Sequence, residues 1–442
     1  MRRLPARFLQ RSSAPRVHAG RALTPLAAAL GAWLAGVLVV PPGAAGADLP
    51  RVEIGGQYRI LYNSSNFGFH QEGFGQDERN RSFWNQRFRT WLDVQADERT
   101  SAYLQLEVGH LQWGDGEFPK TYQSDRIGIE TRRAFIVYQW NGARVEAGIL
   151  GFSDGFGGIL ASADWDFSTG GVLASWTRPS VRLRGGFLKL QEDDPRRADD
   201  NIYVLDGVFD LGGNEMGVHV YLKDANVESE VRSFWAGAHV RRETVGIEFN
   251  GFGILNRNTL VSGDQVSTHG ALKIEAASEI VAGIDLAIQV LVSTGDSDST
   301  ATGLRGFQTV AQSLGDGLGA QSYWSYVGLM SPRGSSDVND LGISIQNRGA
   351  GLTAIQGRIE LPVSSWFGIY GAAGFQRATD APPPRGPVLG TELLAEGLFT
   401  LSQHLTLEVG ASVGFLGDYY ELPGRPEPDD LYEFFSRFQL EF

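Results

Sequence analysis

The chain of 442 residues contains no cysteine. A disulfide framework, a thiolate zinc site, c-type haem attachment and a cysteine nucleophile are therefore all excluded. Beyond residue 47 no apolar run approaches the roughly 20 residues that a membrane helix needs, so a helical membrane protein is excluded as well. No Ser/Pro-rich linker divides residues 50–442, which points to one unit rather than several soluble domains. The seven histidines are scattered and none stands in a His-Glu-x-x-His pattern, and no Gly-x-Ser-x-Gly elbow occurs. Glycine-rich pieces such as Gly251-Phe252-Gly253 and Gly155-Phe156-Gly157-Gly158 lack the strand-to-helix setting of a phosphate loop. No catalytic residue, metal or cofactor is expected, and the chain is not read as an enzyme.

What is present begins with Arg2, Arg3, Arg7, Arg11, Arg16 and Arg21, followed by an apolar stretch from Leu26 to Val40 and by Ala45-Gly46-Ala47. That order predicts a secretory signal over residues 1–47, with a small-residue cleavage site and a mature chain starting near Asp48. Six arginines and no acid leave with it, so the formal charge moves from −13 to about −19. So acidic a surface makes nucleic acid an unsuitable partner.

Apolar and polar residues then alternate at period two over segments of strand length. Ile54, Tyr58, Ile60 and Tyr62 oppose Glu53, Gln57 and Arg59; Phe88, Leu92 and Val94 oppose Arg87, Arg89 and Asp93; Leu405, Leu407 and Val409 oppose His404, Thr406 and Glu408. Connections alternate in length. Short ones are expected at 97–99, 141–142, 178–180, 212–214, 241–243, 278–279, 362–365 and 402–404, and long polar ones at 63–83, 113–125, 151–169, 191–200, 255–267, 377–387 and 417–430. Aromatic residues gather near strand ends: Trp140, Trp176, Trp366 and Phe399 beside short turns, and Tyr62, Trp84 and Trp113 beside long loops. A soluble sandwich also alternates, but short periplasmic turns, long outer loops and interfacial aromatics mark a membrane barrel. The predicted fold class is all-β: a single transmembrane antiparallel β-barrel spanning residues 48–442, of about 18 strands, in a bacterial outer membrane. Eighteen strands leave an aqueous lumen.

The stretch 293–349 is expected to be a long outer loop or insert with its own hairpin that could fold into the pore. If 323–329 and 341–345 cross the membrane instead, the count rises to 20. The loop Ser162-Ala163-Asp164-Trp165-Asp166-Phe167 sets carboxylates around an indole, suited to a sugar ring or a cation, or simply to packing on its own aromatic residues.

The alternation places Arg59, Arg87, Arg89, Arg132, Arg144, Arg182 and Arg184 on the lumen face of the first half of the barrel. Asp206, Asp210, Glu248, Asp285, Glu360, Glu392, Glu396 and Glu408 fall on the same face later on. These are the candidate pore-lining residues. They suggest a basic wall opposite an acidic one, which would orient polar solutes and tune ion selectivity. The alternative is that the charges pair across neighbouring strands and only satisfy a polar interior.

The run Arg81-Ser82-Phe83-Trp84-Asn85-Gln86-Arg87-Phe88-Arg89, the segment Gln105-Leu106-Glu107-Val108-Gly109 and the strand estimate resemble the alginate-export family of outer-membrane barrels and the porin-like proteins related to it. The resemblance implies an 18-stranded monomer with an arginine-lined path for an acidic polysaccharide, on which Arg59, Arg87, Arg89, Arg132 and Arg144 would lie. The acidic later strands depart from it, which makes a porin-like channel for small polar solutes or ions the primary expectation. An exporter of an anionic polysaccharide is the second reading, and an outer-membrane enzyme or a structural barrel the third. Expected partners are outer-membrane lipid, the solute or polysaccharide, and the barrel-assembly machinery, which would read the closing strand that ends in Phe442.

Overall fold

The computed structural model describes residues 50–67, 81–113, 128–164, 167–192, 199–225, 231–261, 265–281, 283–297, 306–310, 324–331, 333, 341–424 and 427–442. The signal expected over 1–47 and the pair Trp165-Asp166 lie outside the described residues.

Eighteen strands follow one another: β1 (Arg51–Ser65), β2 (Arg81–Gln95), β3 (Thr100–Gln112), β4 (Glu130–Trp140), β5 (Ala143–Gly151), β6 (Ser168–Arg178), β7 (Val181–Glu192), β8 (Asp199–Asp210) and β9 (Asn214–Asp224). The second half continues with β10 (Val231–Thr244), β11 (Ile247–Leu260), β12 (Val266–Glu279), β13 (Asp285–Ser293), β14 (Thr353–Pro362), β15 (Phe367–Arg377), β16 (Val388–Thr400), β17 (Leu405–Leu416) and β18 (Leu431–Glu441). Each pairs antiparallel with its sequence neighbours, and β1 also pairs with β18, so the sheet closes on itself. Closure leaves no strand edge facing lipid, where a bare N–H or C=O would find no partner.

The two faces of the sheet are inverted relative to a soluble protein. Val52, Ile54, Ile136, Leu205, Val218, Leu272, Ile288 and Leu393 are exposed, whereas Arg59, Glu107, Asp206, Gln289, Glu392 and Glu433 are buried. Apolar side chains therefore face outward to lipid, and polar ones face the lumen. At the long-loop end, Trp84 stacks on Trp113 with ring centroids 5.3 Å apart and lies 4.9 Å from Tyr62, an outward-facing aromatic cluster. At the other end, Phe367 stacks on Phe399 at 4.7 Å.

Two turns fall elsewhere than the sequence suggests. The polar triplet Arg241-Arg242-Glu243 is not a turn; β10 runs on to Thr244, and Val245-Gly246 reverses the chain with φ of 51° and 74°. Arg241 and Glu243 point into the lumen, where Arg241 Nε bonds Glu248 at 2.6 Å, so a polar run serves strand and not turn. Likewise β12 includes Ser278 and Glu279, and the reversal spans Ile280 to Ile284, with Ile280 N donating to Ile284 O. The connection expected over 255–267 shrinks to 261–265, because Asn256 and Asn258 lie on β11 and bond each other on the inner face.

Residues 324–331 and 341–346 do not cross the membrane. They pair locally, Leu341 N donating to Leu329 O and Ile343 N to Met330 O, and the barrel has 18 strands, not 20.

Candidate functional site

Two connections that leave the long-loop end turn back against the inner wall. The first, between β5 and β6, buries Phe152, Phe156, Ile159, Leu160 and Ala161. Its bend is held by Asp154, whose carboxylate accepts the backbone N–H groups of Phe156 (2.7 Å), Leu160 (2.6 Å) and Ala161 (2.8 Å). Burial pushes the Asp154 carboxyl above the ordinary carboxylate range, and the three N–H donors oppose that rise. Arg184 and Arg133 donate to the backbone carbonyls of Ser153 and Ala163, tying the loop to β7 and β4. Phe152 packs edge-on against Phe167, so the described part of 162–167 rests on the loop's own aromatic residues.

The second connection lies between β13 and β14. Its described pieces are held by polar side chains of the inner face. Trp235 donates to Gln308 O and Gln289 to Trp324 O, while Tyr326 N donates to Gln356. Glu392 accepts the N–H groups of Gly328, Leu329 and Met330 at 2.6–2.9 Å and the hydroxyl of Ser412 at 2.6 Å. The two connections meet where Val310 N donates to Leu160 O. Their apolar residues join inward-facing Trp235, Tyr221, Phe252 and Leu291 in one buried cluster.

Every candidate pore-lining residue lies on the inner face by strand register. Arg132 does so because of a bulge between β3 and β4, which sets it beside Arg133 on the same side. The expected segregation into a basic and an acidic wall is not what the pairing gives. Glu107 binds both Arg89 and Arg132, the latter at 2.7 Å. Arg144 pairs with Glu146, Arg182 with Glu215 and Arg184 with Asp206. On the later strands Glu248 pairs with Arg241, Asp285 and Glu360 with Arg358, Glu396 with Arg333 and Glu408 with Arg437. Glu392 holds backbone and is fully buried, so it does not line a path. Pairs within a strand, between strands and with the inward connection thus neutralise much of the charge locally, and the inner face is a mosaic. Below the loops, Arg51, Glu53, Asp93, Gln95, Tyr103 and Arg144 line an open cavity at the short-turn end.

The inner wall also carries a chain that the sequence reading missed. Asp206 accepts from Tyr221 and lies 2.8 Å from His219 Nδ1. His219 Nε2 is 2.7 Å from His239 Nδ1, and His239 Nε2 is 3.2 Å from Glu215. Consecutive strands β8, β9 and β10 supply these residues, Asp206 opposite His219 and His239 opposite Gly217, which lies midway between His219 and Glu215 on β9. Glycines make the room: a Cβ at Gly155 would come within 2.1 Å of His219, and one at Gly217 within 2.2 Å of His239. Phe156 then meets the His219 ring edge-on at 4.8 Å, and Gly155 N donates to the Tyr221 hydroxyl at 2.8 Å. The signal available in the sequence was the shared inward parity of His219 and His239 on adjacent strands.

No family model matches the chain, and no curated protein matches it in sequence. Solved structures do match its fold. The outer-membrane protein OpdK from Pseudomonas aeruginosa is 10% identical, with a TM-score of 0.55 over 88% of this chain and 98% of that one. OccK5 (OpdH) of the same organism is 12% identical, with a TM-score of 0.53 over 88% and 98%. OprD of Pseudomonas aeruginosa is 10% identical, with a TM-score of 0.54 over 88% and 95%. The fold is that of bacterial outer-membrane β-barrels. The resemblance to the alginate-export family gains no support from these comparisons.

Proposed function

We propose that this protein is a porin-like channel of the bacterial outer membrane, through which small polar solutes or ions pass without chemistry. The observation that carries the reading is a charged inner face, partly open to solvent, inside a closed barrel. Arg144 and Arg182 are 38% and 57% exposed there, at the short-turn end below the inward-folded loops. The fold shared with outer-membrane channels of Pseudomonas aeruginosa supports it. Arg89, Arg132 and Arg144 are the wall residues assigned to the path, and their carboxylate partners set how much positive charge a solute meets. Two loops tethered across the lumen suit small solutes better than a continuous polysaccharide strand. The closing strand with outward-facing Phe442 is assigned as the segment that assembly machinery reads, and residues 1–47 as the export signal.

Reconstitution into a planar bilayer tests the reading. Stepwise ion conductance is the expected result; its absence from correctly folded, heat-modifiable protein would assign the barrel a structural role instead.

A further inference from the structure

The short-turn rim of the barrel is divided into two arcs of different chemistry. Around β8 to β17 the outward-facing stripe continues past the strands into the turns. Leu211, Ile280, Val363 and Leu401 keep the outward parity of Phe209, Ala276, Leu361 and Phe399, and all four are exposed. Val245 at the tip of the β10–β11 turn is 97% exposed, and Val281 is exposed beside Ile280. Of the charged residues in the same hairpins, Glu243 and Glu279 take the inward parity, while Arg242 shares the outward parity of Val240, where a long cationic side chain can reach lipid headgroups. Around β1 to β7 the outward stripe stops earlier: the β2–β3 turn carries Asp97, Glu98 and Arg99, and the β6–β7 turn Arg178, Pro179 and Ser180, all exposed. The contrast is sharp relative to the aromatic residues at the strand ends. Two residues beyond Phe209 stands Leu211, and two beyond Phe399 stands Leu401, but two beyond Trp176 stands Arg178.

Five successive turns with apolar tips would each be costly in water, since a side chain the size of valine or leucine forfeits the benefit of burial there. At Val245 a second cost is added, because a β-branched residue is held at φ 51° where asparagine or glycine would be unstrained. The apolar tips are continuous with the lipid-facing stripe directly above them, so the occupant that fits is the same lipid. We infer that the β8–β17 arc of this rim is sunk into the interfacial layer of the periplasmic leaflet, so that the barrel sits tilted with that side deeper. Two further residues at a rise of about 3.3 Å, on strands tilted roughly 40°, add about 5 Å of immersion. The inference rests on the membrane-spanning fold and not on the channel reading.

The absence of native cysteine makes single-site labelling direct. Full-length mature protein carrying Val245→Cys or Leu401→Cys, with Glu98→Cys and Arg178→Cys as controls, would be spin-labelled and reconstituted in phospholipid vesicles. Collision of each nitroxide with oxygen, which partitions into lipid, is compared with collision with a water-soluble nickel chelate. The expected result is an oxygen-to-nickel ratio several-fold higher at 245 and 401 than at 98 and 178. Equal ratios at all four sites overturn the inference. Protection from both reagents at 245 and 401 also overturns it, since it means that a second protein surface covers the arc. All four side chains are exposed, and Leu211→Cys and Val363→Cys provide alternates should either apolar-site variant fail to show the heat-modifiable mobility of folded protein.

Discussion

His219 Nε2 lies 2.7 Å from His239 Nδ1, with 12° between the ring planes, and each ring's remaining nitrogen faces a carboxylate. The short central contact has room for one hydrogen between the two nitrogens.

A hydrogen on both of the central nitrogens would set N–H against N–H between the rings, whose carboxylate partners are already shared with Arg184 and Arg182. The rings must then separate, and the loop that rests Phe156 on His219 must shift with them. Single-channel conductance of the wild-type protein should change on acidification from about pH 8 to about pH 5, the range where imidazole titrates. His239→Asn should flatten that dependence. An identical pH profile in the variant would show that the pair does not control the loop.

Glu392 acts on the other loop. Its carboxylate accepts three backbone N–H groups, and Glu392→Ala leaves those donors buried without it. Removing a buried acceptor costs about 1–3 kcal/mol. We expect the segment around Leu329 to come away from the wall, giving larger and noisier conductance and faster proteolysis within the loop. Unchanged conductance would place this segment outside the path.

Arg89 and Arg132 share one carboxylate, that of Glu107. Glu107→Gln should raise the preference for anions by removing the negative charge that the two arginines share, and Arg89→Glu with Arg132→Glu should shift the reversal potential in a salt gradient towards cations. If neither variant moves it, the β2–β4 wall does not line the route of the ions.

Asp154 supports the first loop in the same manner as Glu392 supports the second. Asp154→Ala strips acceptors from the N–H groups of Phe156, Leu160 and Ala161 and is expected to lower the thermal unfolding temperature and expose 152–164 to protease. Asp154→Asn keeps one acceptor oxygen and should fall between the two. Wild-type protease resistance in the alanine variant would mean that the apolar cluster alone holds the loop.

Much of the barrel was legible because lipid outside and water inside enforce a strict period of two, which Ile54 to Tyr62 and Leu405 to Phe415 follow. The turns at Val245 and Ile280 were not legible. Valine and isoleucine are strand formers, and only their place at a lipid boundary makes them acceptable tips. The loops in the lumen left a partial trace: Phe156 and Ile159-Leu160-Ala161 are too apolar for a loop surrounded by water. Which arginine meets which acid depends on register between strands, and bulges such as the one at Arg132 are invisible to alternation. The His219–His239 contact needs that same cross-strand register.

Closure of the sheet has a consequence in time. Gln57 faces Glu441, 384 residues away, and Gly56 N donates to Phe442 O at 2.8 Å while Phe442 N donates back to Gly56 O. Contacts of such separation form slowly, because the chain between them must be ordered before they repay its loss of freedom. Until β1 and β18 pair, both present unsatisfied edges, so every stage before closure is an aggregation hazard. The seam between β1 and β18 therefore acts as a clock: the protein gains its membrane-compatible surface in a single late event, and any factor that escorts it must stay bound until then.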